Sequence, residues 1–196
     1  MILWIIALSL TFIFLLLLLF VFLRTLHFDA IHRNLLDLEE AYGGKVIRGG
    51  FAIRPRYVGK YKGKTISVAI TSAREKNEGR KYYIEVNFQA SPQTNFSILD
   101  AKLLADQKIL KERKEKMIQI ADGNYVLEVI DKNHLRSLKI KEIGEAISPL
   151  SPFEFILASK SGIMFERIST DLNRDTDIRQ LGHIIKQIHE LRKVVE

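Results

Sequence analysis

Over the first 23 residues, Met1 to Leu23, hydrophobic side chains follow one another with no charged residue and only two hydroxyls, Ser9 and Thr11. An uncharged run of this length exceeds the roughly 20 residues that cross a hydrocarbon core at about 1.5 Å per residue, and it predicts a transmembrane helix. Beyond it the pattern turns periodic. Leu26, Ile31, Leu35, Leu38 and Tyr42 recur at helical spacing, with Asp29, Arg33, Asp37 and Glu40 on other faces, which predicts an amphipathic helix. Gly43-Gly44 is its stop, because a left-handed C-terminal cap costs glycine no Cβ clash. Whether the two helices form one rod or break near Thr25 to Phe28 is open at this level. The organisation read from the pattern is an anchor over 1–24, a juxtamembrane amphipathic helix over 25–43 and a soluble domain over 44–196.

After Gly44 the period changes to two. A two-residue turn at Lys62-Gly63 pairs Tyr61 with Lys64, Gly59 with Ile66 and Tyr57 with Val68. Paired residues share a face, so one side of this hairpin carries Tyr57, Gly59, Ile66, Val68 and Ile70. The other carries Arg54, Arg56, Val58 and Lys60 opposite Thr65, Ser67, Ala69 and Thr71. A loop over Ser72 to Arg80 leads to a third strand, Lys81 to Gln89, in which Tyr82, Ile84, Val86 and Phe88 alternate with polar positions. Ser91-Pro92-Gln93 closes this antiparallel meander.

Helices and strand pairs follow. Asp100 caps a helix through Leu103, Leu104 and Leu110 into the charged run Lys111 to Lys116, and a turn at Asp122-Gly123-Asn124 precedes a strand from Tyr125 to Ile130. Asp131 caps a short helix through Leu135 and Leu138, and another runs around Ile140 to Ile147 up to Ser148-Pro149. Phe153 to Ala158 and Ile163 to Ile168 make a second hairpin. The chain closes on an amphipathic helix with Ile178, Leu181, Ile184, Ile185, Ile188, Leu191 and Val195 on one face, for which Asp175 or Thr176 is the natural cap. Hairpins interrupted by helices indicate an α+β fold: an N-terminal transmembrane helix followed by an antiparallel-sheet domain with helices packed on one face.

Composition sharpens this layout. All 30 Lys and Arg and all 23 Asp and Glu lie beyond Leu23, so the mean hydropathy near zero averages a greasy anchor with a water-soluble domain of ordinary size. No Lys or Arg precedes the apolar run, and Arg24-Thr25-Leu26-His27-Phe28 offers no small-x-small cleavage pattern, which favours an uncleaved anchor over a secretory signal. Cations Arg24, Arg33, Lys45 and Arg48 follow the span. They favour an external N-terminus and a cytoplasmic domain at the cell membrane, with Trp4 as an outer interfacial residue. Cys is absent, which excludes disulfides, thiolate catalysis and thiolate metal sites.

Between Ala41 and Arg74 stand Lys45, Arg48, Arg54, Arg56, Lys60, Lys62, Lys64 and Arg74, with no Asp or Glu among them, in a chain of net charge +7. Soon after a membrane span, such a window reads as a solvated face, as a contact for anionic lipid head groups, or as a site for an acidic protein or nucleic acid. Nucleic acid is disfavoured, because Tyr57 and Tyr82 fall in the apolar register and are core candidates rather than stacking rings. Arg54, Arg56, Lys60, Lys62 and Lys64 are the candidate anionic-surface contacts.

Candidate catalytic chemistry is sparse. His27 and His32 are five apart and His183 and His189 six apart, neither being the i, i+4 spacing of a helical metal site, and all read as surface histidines. No serine elbow, phosphate-cradling loop or dinucleotide fingerprint is present, and no cofactor is expected. The pairs Gly43-Gly44 and Gly49-Gly50 read as a cap and a turn around a short strand. Asp171, Asp175 and Asp177 read as helix starts and solvated positions.

The succession of one span, a helix ending in Gly43-Gly44, then Gly49-Gly50-Phe51, Arg54-Pro55-Arg56 and Gly59-Lys60-Tyr61-Lys62-Gly63-Lys64, resembles a group of prokaryotic membrane-anchored proteins of unknown function. Asp122, Tyr125, Val129, Asp131 and the closing helix are similar more loosely, and Val126 stands where that group has an acidic residue. The resemblance implies a tethered α+β module and carries over no catalytic residue. The function expected from the sequence is that of a membrane-anchored, non-catalytic binding or scaffolding module with a basic sheet face. The alternative is a membrane-tethered enzyme whose site no motif reveals.

Overall fold

The computed structural model describes residues 2–48, 54–75, 79–105, 117–129 and 138–196. The long apolar start and the amphipathic segment form a single helix, α1 (Ile2–Tyr42), about 60 Å long at helical rise. It ends where the glycines predict, with Gly43 at φ +69° and Gly44 at φ +98°. Its apolar N-terminal half is exposed, whereas Ile31, Leu35 and Leu38 in its second half are fully buried in the domain core. The amphipathic stretch is therefore a core helix of the domain as well as a continuation of the apolar one.

Nine strands follow among the described residues: β1 (Lys45–Ile47), β2 (Arg56–Tyr61), β3 (Lys64–Glu75), β4 (Gly79–Phe88), β5 (Phe96–Asp100), β6 (Met117–Ile120), β7 (Tyr125–Val129), β8 (Phe155–Ser159) and β9 (Gly162–Ser169). They form one sheet in the order β1-β2-β3-β4-β9-β8-β5-β7-β6, with every neighbouring pair antiparallel. The β2–β3 register is the predicted one, Tyr57 facing Val68 and Tyr61 facing Lys64. The turn residues Lys62 (φ +47°) and Gly63 (φ +80°) take the left-handed conformations that match a tight hairpin to strand twist.

The stretch Ser72 to Arg80, expected as a loop, is mostly strand: β3 runs on to Glu75, and Arg74 faces Arg80 across the hairpin. Backbone pairing holds this extension beyond the apolar core, so hydrophobic alternation gives no sign of it. Strand β5, inserted between β8 and β7, is also unpredicted. It buries only Phe96 and Ile98, too few positions to declare a period. The meander is not closed after β4, since β4 pairs with β9 and joins both hairpins into one sheet.

Asp100 does cap the next helix, its carboxylate accepting from Lys102 N (2.8 Å). That helix, α2, is described over Ala101–Ala105; the predicted continuation through Leu110, the Asp131–Leu135 helix and the Gly49-Gly50 turn lie outside the described residues. Helix α3 (Ile140–Ile147) passes into a 3-10 turn (Ser148–Leu150). Short α4 (Leu172–Asp175) and long α5 (Ile178–Val195) complete the chain. The cap of α5 is Asp177, which accepts from Arg179 N (2.8 Å), rather than Asp175 or Thr176. A separate turn, α4, capped by Asp171, takes up Asp175, whose carboxylate accepts from Ser169 Oγ (2.8 Å). Thr176 is buried, donating to Leu172 O (2.6 Å) and accepting from Asn34 Nδ2 (2.9 Å).

Alternation sorts the sheet into two faces. Tyr57, Ile66, Val68, Ile84, Val86, Phe88, Phe165, Ile156, Ile98 and Leu127 are buried against Ile31, Leu35 and Leu38 of α1, Ile143 and Ile147 of α3 and the apolar side of α5. The fold is α+β, with α1, α3 and α5 packed on this face of the sheet.

Candidate functional site

On the other face, where Tyr83 and Val126 are buried and Arg56 and Lys60 exposed, the register lays out side chains in lines across the strands. One line runs Ala69, Glu85, Glu166, Phe155, Leu99, Val126, Gln119. The next runs Val58, Ser67, Asn87, Met164, Leu157, Ser97, Glu128, Met117. The face is thus polar on β4 at Glu85 and Asn87, apolar on β8 at Phe155 and Leu157, and mixed on β5 and β7, where Leu99 and Val126 alternate with Ser97 and Glu128. A groove of about 390 Å³ crosses the boundary, lined among others by Ser67, Asn87, Gln89, Leu157, Ser161 and Met164.

At the boundary, Glu85 and Glu166 are direct cross-strand partners. Like charges so placed cost stability. Burial raises the Glu166 carboxyl above its ordinary pKa, and the charge of Glu85 raises it further. Asn87 donates from Nδ2 to Glu85 Oε1 (2.6 Å), which fixes that carboxylate. Two carboxyl groups and an amide beside Phe155, Leu157 and Met164 offer acceptors and donors for hydroxyl groups next to a surface for an apolar chain.

The five cations singled out in the sequence are not brought together. Arg56 and Lys60 are exposed on β2, on the side of the sheet away from α1. Arg54, expected beside them, lies across the sheet: it donates to Ile70 O (3.2 Å) and Ser72 Oγ (2.6 Å), with its guanidinium 5.3 Å from the Tyr82 ring centroid. It precedes Pro55 and the start of β2, so strand alternation does not govern its direction. Lys62 sits in the turn, 5.6 Å from the Tyr61 ring centroid, and Lys64 lies 4.0 Å from Glu196 at the end of α5. Tyr57 is fully buried and donates to Gly43 O (2.7 Å), as a core residue should. Tyr82 is half-buried beneath Arg54.

His189 departs from the expected surface role. It is 5% exposed, packed edge-on to Tyr61 (5.5 Å between centroids) and against Phe88 (5.9 Å), with its buried Nδ1 unpartnered. Desolvation lowers its pKa, helped by Arg192, Lys62 and Lys193. His183 contacts Pro149 O (3.0 Å) from an exposed position. Among the described residues no group of three or more His, Asp or Glu is placed to hold a metal ion. A second cleft, about 650 Å³, opens between the β6–β7 turn and α3, walled by Gln119, Asp122, Asn124, Lys141 and Glu145.

Sequence reasoning missed Glu166, Asn87 and Phe155 as neighbours. The alternation of β4 and of the β8–β9 hairpin puts them on one parity, but the β4–β9 pairing that brings them together joins strands far apart in the chain.

No family model matches this chain, and no curated protein matches it. Among solved structures it is similar to the mycobacterial trehalose monomycolate transport factor A, TtfA, with a TM-score of 0.55 and 9% identity, covering 85% of this chain and 94% of that one. At that identity the likeness is one of fold. It extends over nearly the whole of both chains.

Proposed function

We propose that this chain is a membrane-anchored, non-catalytic binding module that handles lipid beside the bilayer, the sheet face opposite α1 taking an amphiphile with a hydroxyl-bearing head. The observation that carries the reading is α1: one helix whose first half is long, apolar and exposed, and whose second half is built into the domain core. An exposed run from Ile2 to Leu23 is stable in hydrocarbon rather than water, and the domain is then held at the surface of that bilayer. Support for a lipid as the ligand comes from the mixed face, where Phe155, Leu157 and Met164 adjoin Glu85, Glu166 and Asn87. The fold likeness to a protein named for transport of trehalose monomycolate, a lipid with a sugar head, agrees with it.

The test is to purify the full chain from membranes in mild detergent and identify co-purifying lipids by mass spectrometry, beside Leu157→Asp, a change at a half-buried position on the groove. Enrichment of one lipid class over the bulk membrane, lost in the variant with unfolding unchanged, supports the reading. A lipid profile equal to bulk in both chains, or the same enrichment in both, defeats it.

A further inference from the structure

Contacts along α1 determine which end of the domain faces the bilayer. Tyr42, at its C-terminal end, packs edge-on to Tyr61 beside the β2–β3 turn (5.5 Å). Eight residues earlier, Asn34 donates to Asn173 O (2.7 Å) and Thr176 Oγ1 (2.9 Å), close to Ser169, the strand partner of Tyr82. Earlier still, Asp29 pairs with Arg48 just past β1 (2.5 Å). Strand β3 therefore runs back alongside the helix. It starts at Lys64, level with Tyr42, and covers about 36 Å to Glu75, while the apolar run ends at Leu23, about 29 Å before Tyr42. The β3–β4 hairpin end points to the bilayer and the β2–β3 turn points away from it.

This ordering separates the basic residues by role. At the far end, Lys60, Lys62 and Lys64 lie beyond reach of the bilayer that α1 enters. The cations there stand among the carboxylates of α5: Lys64 near Glu196, Arg192 with Glu196 (3.2 Å) and Lys193 with Glu190 (2.7 Å). At the near end Arg74 and Arg80 are direct cross-strand partners, both exposed, and the sequence between them carries Glu75, Lys76 and Glu78. Arg74, Lys76 and Arg80 against Glu75 and Glu78 leave this end of the hairpin net positive. The two arginines share the parity of Ile70, Ser72 and Ile84, the side from which α1 leaves toward the membrane.

We propose that Arg74 and Arg80, facing one another across the β3–β4 hairpin, bind anionic lipid headgroups of the bilayer that α1 enters, giving the domain a second membrane contact. The proposal rests on the membrane anchor of the reading above, and it holds for either orientation of the span. Guanidinium groups pair phosphate with two parallel hydrogen bonds, and each cation near an anionic surface strengthens attachment roughly fivefold.

The chain contains no Cys, so one label is introduced at a time. Ala73→Cys marks the near end and Lys160→Cys the far end, both at exposed positions. Full-length chain is reconstituted into phosphatidylcholine vesicles with and without phosphatidylglycerol, and energy transfer to a headgroup-labelled lipid is measured. Transfer is expected to be greater at 73 than at 160. Phosphatidylglycerol should raise it at 73 alone, and the rise should vanish in about 0.5 M salt and in Arg74→Ser/Arg80→Ser. Lys62→Ser/Lys64→Ser removes the same charge at the far end and should leave the rise intact. Equal transfer at the two labels, a rise indifferent to anionic lipid, or an equal loss in both double variants overturns the proposal. A chain stripped from vesicles by alkaline carbonate overturns the anchor instead, a separate result.

Discussion

Gly59 sits where β2 passes under its own Tyr57, and replacing it with alanine tests how tightly the end of α1 is tied to the sheet. A Cβ built on Gly59 falls inside van der Waals contact of the Tyr57 hydroxyl, 2.5 Å from its Cζ and 2.9 Å from Gly43 O. The Tyr57 ring is fully buried, and its hydroxyl donates to that same Gly43 carbonyl at the C-cap of α1 (2.7 Å), so relief by moving the ring breaks the bond. Overpacking costs about 1–3 kcal/mol, and leaving a buried hydroxyl unsatisfied a similar amount. The gain from replacing a flexible residue inside a strand offsets only about 0.5–1 kcal/mol. Gly59→Ala should therefore destabilise by about 2–4 kcal/mol, a fall in melting temperature of about 5–15 °C for a domain of this size. The assay is thermal unfolding of full-length chain in detergent micelles, followed by aromatic circular dichroism. On a Tyr57→Leu background, where the hydroxyl and ring are gone and the Gly43 O contact alone remains, the same glycine change should cost less than about 0.5 kcal/mol, which gives a coupling of about 1.5 kcal/mol or more. A cost below about 0.5 kcal/mol in the wild-type background, or an equal cost in both, would refute the steric reasoning.

Leu35→Ala in α1 should cost about 2–5 kcal/mol, while its neighbour Leu36→Ala, at a 41% exposed position, should stay within about 0.5 kcal/mol. Equal effects in urea unfolding would show that the helix only abuts the domain. His189 gives a pH dependence. Its folded pKa is lowered by burial and then by Arg192, Lys62 and Lys193, so the folded state binds fewer protons than the unfolded one. Its contribution to stability is complete above the unfolded pKa of about 6.5 and declines as pH falls below that value. Comparing unfolding midpoints at about pH 7.5 and about pH 5, His189→Phe should remove part of the acid loss seen in wild type. The same loss in both chains would place the acid sensitivity elsewhere.

Wherever a local rule suffices, the sequence by itself determined the element. Lys62-Gly63 between alternating strands defined the β2–β3 hairpin and its register, Gly43-Gly44 defined the end of α1, and the apolar stripe from Ile178 to Val195 defined α5. The unbroken apolar start declared an anchor candidate by length alone. Only the tertiary structure decided what depends on partners distant in the chain. The pairing of β4 with β9 set Glu85 against Glu166, and β5 became a strand by insertion between β8 and β7 rather than by its own pattern. Packing of α5 against Tyr61 and Phe88 buried His189, which lacks metal-site spacing and so reads from the sequence as a surface histidine. The basic window, contiguous in sequence, was divided between the two ends of the domain because each strand spans about 20–40 Å, and strand direction decides which end a residue reaches. Periodicity encodes which side of an element is apolar. It carries no record of which element lies alongside, because that choice is made by the summed burial of the whole core.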